Sequence, residues 1–224
     1  MVDNVNIWKA TYSTILMTLI STALAYLVGL PLGILLNVTG KNGIHKNRIL
    51  NLILGFIVNF LRSVPCLILT VILIPLNRII VGRGSGKWYT MVIPLFFSTF
   101  AYVARIVEQS LSDVDNGEIE AIRSLGASDY QIITKVIVPE ARPSLLMGVA
   151  VTLVNVIGYT TFAYNIGAGG LISEVWSFYS RHTADFLSRF VFWLMIFIVV
   201  VLVQLIQELG LYLTKRIDKR RKIR

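Results

Sequence analysis

Apolar residues fall into five long blocks along this chain, and most of its charged residues lie between or after them. Ala10 to Gly40 contains no charged residue. At 1.5 Å per helical residue that block exceeds the ~30 Å hydrocarbon thickness of a bilayer. Ile49 to Asn77 is a second block, interrupted only by Arg62 with Pro65 close behind. Trp88 to Leu111, Ser144 to about Ile166, and Phe190 to Leu213 complete the set. Blocks of this length predict an all-α, polytopic membrane helix bundle with five transmembrane helices, because a spanning segment must satisfy its own backbone hydrogen bonds. In the first block Ser21, Ala25, Gly29 and Gly33 recur at every fourth position. Such a stripe of small residues lets another helix approach closely, and Pro31 within it predicts a kink.

One polar stretch between the third and fourth blocks has a pattern of its own: Glu118 to Pro143, EIEAIRSLGASDYQIITKVIVPEARP. It is entered through the turn residues Asp115, Asn116 and Gly117. Glu118 to Leu125 predicts a short helix, and Gly126 can take the positive φ that ends one cheaply. Ser128 and Gln131 have capping-box spacing, so a second helix starts there. It places Ile132, Ile133, Val136 and Ile137 on one face, and Pro139 is expected to interrupt it. A polar helix pair held between membrane spans calls for a partner to rest on, unless it is an ordinary amphipathic cytoplasmic hairpin.

Composition narrows the classes. With 55% hydrophobic residues and mean hydropathy +0.72 the chain is too apolar for a soluble domain. The net charge of +9 does not point to nucleic acid, because seven of the 21 basic residues crowd the last eleven positions. A basic tail beside a span reads as an inside anchor that touches anionic lipid. A lone Cys66 leaves no internal disulfide, and His45 and His182 lack metal-site spacing, so neither a metal nor another cofactor is expected. The glycine-rich GRGSGK at 82–87 has Val81 and Trp88 where a phosphate loop needs Gly and Ser or Thr, and is read as a flexible turn. No catalytic constellation is visible, so the chain is expected not to be an enzyme.

Polar groups inside the spans are the candidates for a translocation path. Arg62, with Ser63 beside it, lies roughly 20 Å along its helix by the helical rise, and an intramembrane Arg is by default a functional-site hypothesis. The plainer alternative is a structural Arg satisfied by carbonyls freed near Pro65. Asn155 and Tyr159 lie in the fourth block, where interhelical hydrogen bonding is the competing use. Arg105 and Glu108, three residues apart, can pair at the end of the third. After the fourth block Gly167, Gly169 and Gly170 are too closely set to continue a helix.

Glu120, Ala121, Gly126, Val136, Val138 and Pro139 together resemble the "EAA" motif of ABC-importer permeases. There Glu-Ala-Ala is followed after three residues by Gly, and nine later by Ile-x-Leu-Pro. Every spacing is kept here, with Ile122 for the second Ala and Val136 and Val138 for the Ile and Leu. Arg62, Ser63 and Pro65 resemble an Arg-Ser-x-Pro signature of amino-acid permeases in this family. Gly167 to Leu171 is similar to a GAGGL segment of methionine-importer permeases, with Ile172 where those relatives have Gly. The resemblance implies a type I ABC-importer transmembrane domain over residues 12–207, flanked by an extracytoplasmic 1–11 and a basic cytoplasmic tail 208–224. It implies a permease for methionine or a related amino acid, driven through Glu120, Ala121, Gly126, Ile133, Val136 and Pro139 by ABC ATPase subunits on another chain. An extracytoplasmic solute-binding protein and a second copy of the chain are the further implied partners, in the bacterial inner membrane. A permease for another small solute, or a channel or assembly protein that never meets ATP, stays open at this point.

Basic residues set the expected orientation. With the amino terminus outside, thirteen fall on inner segments (Lys41, Lys46, Arg48, Arg123, Lys135, Arg142 and seven in the tail) and six on outer ones (Lys9, Arg78, Arg83, Lys87, Arg181, Arg189).

Overall fold

Four of the five apolar blocks fold as continuous spans in the computed structural model, which describes residues 6–181 and 186–217. Helix α1 covers Ile7–Thr39 and runs through Pro31 without a break. Helix α5 covers Val92–Ser112, led in by a 3-10 turn at Trp88–Met91. Helix α9 covers Arg142–Tyr159 and tightens into a 3-10 segment at Thr160–Ile166. The last span, α11, is Phe186–Ile217. Residues 1–5, His182 and the basic residues from Lys219 onward lie outside the described residues, as do the side chains of Arg181 and Arg189.

The second block departs from a single straight span. It folds as α2 (Arg48–Ser63), α3 (Cys66–Ile72) and α4 (Ile74–Val81), and α2 and α3 meet at an angle of 89°. Pro65 explains the break: its ring pushes the preceding residue out of helical conformation, and Val64 sits at φ −81°, ψ 118°. The fifth candidate crossing is therefore a bent pair. Two loop elements, α6 (Asn116–Ser124) and α7 (Asp129–Ile132), follow α5, and α8 (Val138–Glu140) precedes α9. Helix α10 (Leu171–Arg181) joins α9 to α11.

The centre of the bundle is the pairing of α1 with α5. Ser21, Ala25, Gly29 and Gly33 are all buried. A Cβ built at Gly29 would lie 2.7 Å from the Phe100 carbonyl oxygen, and one at Gly33 2.6 Å from that of Ala104. The two backbones thus approach as closely as glycine permits. Around this seam Ala25, Val103, Val107 and Leu111 continue into Val114, Ile132, Ile137 and Ala141, so the polar loop is rooted in the same cluster as the spans. A second cluster, with Met17, Cys66, Met91, Leu95, Val156, Ala163, Ile166 and Ala168, fills the other half. The periphery is apolar outward: Phe56, Phe60, Ile72, Trp193, Phe197 and Leu205 are all exposed, as lipid contact requires.

Gly33→Val should overpack this seam. An inserted side chain in a filled interior costs about 1–3 kcal/mol. The melting temperature of the purified protein in detergent should therefore drop by several degrees, whereas Gly158→Ala, at a position with open space around it, should leave it unchanged.

Candidate coupling surface and translocation path

The loop helices form for local reasons. Asp115 caps α6 by accepting from the Gly117 amide at 2.8 Å, so the expected turn is absorbed into the helix start. The helix ends at Ser124, and Gly126 follows at φ +83°. The capping box then opens α7: the Ser128 amide donates to Gln131 Oε1 at 2.9 Å, and the Gln131 amide to Ser128 Oγ at 3.4 Å. Pro139 does not interrupt the second helix as expected. The chain passes through a π turn at Ile133–Ile137 into α8. Proline has no N–H and its ring collides with the carbonyl four residues back; the wider π turn just before it relieves both constraints while the chain stays helical.

This segment has two faces. Ile132 and Ile137 are buried and, with the partly buried Val138, root it in the α1–α5 cluster; Ile133 and Val136 are partly buried. On the other side Glu120, Ala121 and Gly126 are exposed. Leu125 is 83% exposed and Tyr130 76%, one on each side of the glycine. Two large apolar side chains are thus left exposed on either side of the Gly126 turn.

The structure groups three of the four candidate path residues. Asn155 donates to the Tyr102 hydroxyl at 2.9 Å, joining α9 to α5. Tyr159, one turn further along α9, is half-buried against the cluster containing Cys66 and lies within electrostatic reach of Arg62 and Tyr102. Arg62 is exposed at the end of α2, and no hydrogen bond or ion pair reaches its guanidinium among the described residues. Carbonyls near Pro65 do not satisfy it. Ser63 stands apart, its hydroxyl turned back to the Asn59 carbonyl at 2.9 Å.

At the opposite end from the loop, Gly167, Gly169 and Gly170 take φ of 60°, 77° and 99°. They fold the chain so that the Leu171 amide donates to Thr14 Oγ1 of α1 at 2.8 Å. The 82–87 turn is pinned here, through the Gly86 amide to the Ile166 carbonyl at 2.9 Å, and so is not free as expected.

A bent second span, an α1–α5 seam and a loop helix pair rooted in it are thus on one chain. The sequence profile of the family described as "Binding-protein-dependent transport system inner membrane component" matches residues 29–219. The chain belongs to this family. It is a multi-pass membrane protein. A relative from Vibrio cholerae serotype O1, "Probable D-methionine transport system permease protein MetI", is 40% identical over 94% of this chain and 92% of its own length. "Methionine import system permease protein MetP" of Bacillus subtilis (strain 168) is 39% identical over 98% of this chain and 96% of its own. Among solved structures, a chain of the MetNI methionine ABC transporter in an inward-facing conformation is 34% identical. It superposes with TM-score 0.88 over 95% of this chain and 96% of that one. The amino acid ABC transporter with histidines, at 20% identity and TM-score 0.74, shares the fold.

Two features of this family member escaped the sequence reading. Leu125 and Tyr130 carry no motif, though their place beside Gly126 and off the buried stripe was the available signal. The other is the reach of Arg105. Its pairing with Glu108 was expected, and Nη1 lies 2.5 Å from Glu108 Oε2. The same guanidinium also donates from Nε and Nη2 to Asn59 Oδ1 at 3.2 and 3.0 Å, and from Nη2 to the Gly55 carbonyl at 3.2 Å. It thereby clamps α2 to α5, a contact that periodicity within one helix cannot reveal.

Removing one partner of such a partly buried pair strands the other, whereas replacing both with apolar residues is far milder. Arg105→Met should lower the melting temperature in detergent, and Arg105→Met with Glu108→Leu should recover part of the loss. Equal loss in the single and double variants would contradict this account of the clamp.

Proposed function

We propose that the chain is the transmembrane permease subunit of an ATP-driven ABC importer that carries methionine or a related amino acid across the bacterial inner membrane. The observation that carries this reading is the rooted helix pair α6–α7 with Leu125 and Tyr130 exposed beside the Gly126 hinge. Family membership and the relatives named for methionine transport support it. ATP hydrolysis belongs to a separate ATPase subunit that receives the helix pair, with Glu120, Ala121, Gly126, Ile133, Val136 and Pro139 forming or shaping the contact. Two copies of the chain enclose the path, since few helices are available to surround it from one copy. A solute-binding protein delivers the amino acid from outside, near the Gly167, Gly169 and Gly170 turn. The amino terminus lies outside and the carboxyl terminus in the cytoplasm, as the basic residues favour.

The hinge gives the direct test. In the left-handed region a residue with a Cβ costs roughly 1 kcal/mol, more if β-branched. That does not unfold a packed bundle, but it tilts α6 against α7. Gly126→Val should leave membrane insertion and dimerisation intact while cutting co-purification of the ATPase and amino-acid uptake together, with Gly126→Ala milder. A Val variant that binds its ATPase and transports normally removes the docking role.

Arg62 belongs to the path in this reading, because its guanidinium is exposed in an apolar span and is not held by backbone carbonyls. Arg62→Ala should reduce uptake while the complex still assembles and hydrolyses ATP. Loss of detergent-stable complex alongside uptake would return Arg62 to a structural role.

A further inference from the structure

The segment between α1 and α2 is short and polar, yet it is closely tied. The His45 amide donates to the Val38 carbonyl at 3.0 Å, and the Asn47 amide to that of Thr39 at 3.1 Å. Asn51 of α2 donates to the Leu36 carbonyl at 2.8 Å and to Thr39 Oγ1 at 3.2 Å. Residues 40–47 therefore form a fixed strap on the ends of both helices.

This strap reaches the helix pair at one polar junction. His45 Nε2 lies 2.7 Å from Asp129 Oδ2, at the first turn of α7. Arg123 of α6 donates through Nη2 to Asp129 Oδ1 at 3.4 Å and to the Ile44 carbonyl at 3.3 Å. Asp129 is thus held from the strap and from α6 at once, across the Gly126 hinge. Behind the junction the strap and α6 part around a cavity of about 260 Å³ bordered by Lys41, Asn42, Asn116 and Ile119. Ile44 adds a partly buried apolar contact to the α6–α7 cluster, and the junction is what fixes direction.

We propose that His45, Arg123 and Asp129 are positioning residues that clasp the helix pair at one angle and join it to the inner ends of α1 and α2. Movement received by α6–α7 is then passed to the first two spans as well as to α5 and α9, which continue directly from the loop. The side chains of His45 and Asp129 are 74% and 37% exposed, so the contact adds little to global stability. Its effect falls on orientation, because Asp129 opens the helix that restarts after the Gly126 turn and is held there from both the strap and α6.

The proposal rests on the docking role of the helix pair, and its test separates the two. Spin labels at Asn42→Cys and Lys135→Cys report the distance from the strap to the helix that α7 opens, in the permease without ATPase; the native Cys66 is buried. The wild-type distance distribution should be narrow, Asp129→Asn should broaden it, and Asp129→Glu should restore it. In the reconstituted complex Asp129→Asn should keep normal ATPase co-purification and lower uptake per ATP hydrolysed several-fold. The double variant His45→Gln with Asp129→Asn should be no worse than Asp129→Asn alone. An unchanged distance distribution in Asp129→Asn overturns the clasp. So does loss of ATPase binding in proportion to uptake, which would place Asp129 in the docking face. Failure of the docking role itself would be read from Gly126→Val and not from these labels.

Discussion

Everything in this bundle depends on how closely α1 and α5 approach. In hydrocarbon the helices gain little from leaving lipid, so their association rests on close packing. Gly29 and Gly33 remove the atoms that would hold the Phe100 and Ala104 carbonyls away. On this seam the chain builds both of its working ends. Val103, Val107 and Leu111 of α5 extend the contact into Ile132 and Ile137 of the loop. At the other end Thr14 of the same α1 accepts the amide that opens α10.

In the proposed function, that arrangement accounts for how a short loop helix can report to membrane helices. The loop is not suspended between spans, because its buried face belongs to their core and only its tip is free. The tip carries Leu125 and Tyr130, which water disfavours and a protein cleft would cover. The Arg105 clamp extends the same rigid unit to α2, so the bent second span is held along its α2 limb while Pro65 releases the α3 limb to another direction.

Much of this was legible in the chain. The capping box at Ser128, the hinge at Gly126 and the stripe from Ser21 to Gly33 are local patterns whose physics needs no tertiary context, and each is found where the spacing put it. The misreadings share a cause. Pro65 was read as freeing backbone carbonyls near Arg62 but not as a right-angled bend, since hydropathy measures length and not direction. Pro139 was expected to end a helix, and the π turn before it keeps the helix going by a local adjustment that no propensity scale contains. The GRGSGK turn looked free because its anchor, the Ile166 carbonyl, lies some eighty residues away. Contacts such as Arg105 to Asn59 and His45 to Asp129 belong to this class as well: they join elements whose sequences carry no record of one another.

The central claim is that this chain moves its solute only when an ATPase on another chain drives it. Uptake of labelled methionine into proteoliposomes tests this most directly, comparing the permease alone, the permease with its ATPase and binding protein, and the same complex without ATP. The account predicts accumulation against a gradient in the complete complex with ATP and no flux in the other two. Downhill flux of solute through the permease alone would contradict it and favour a channel.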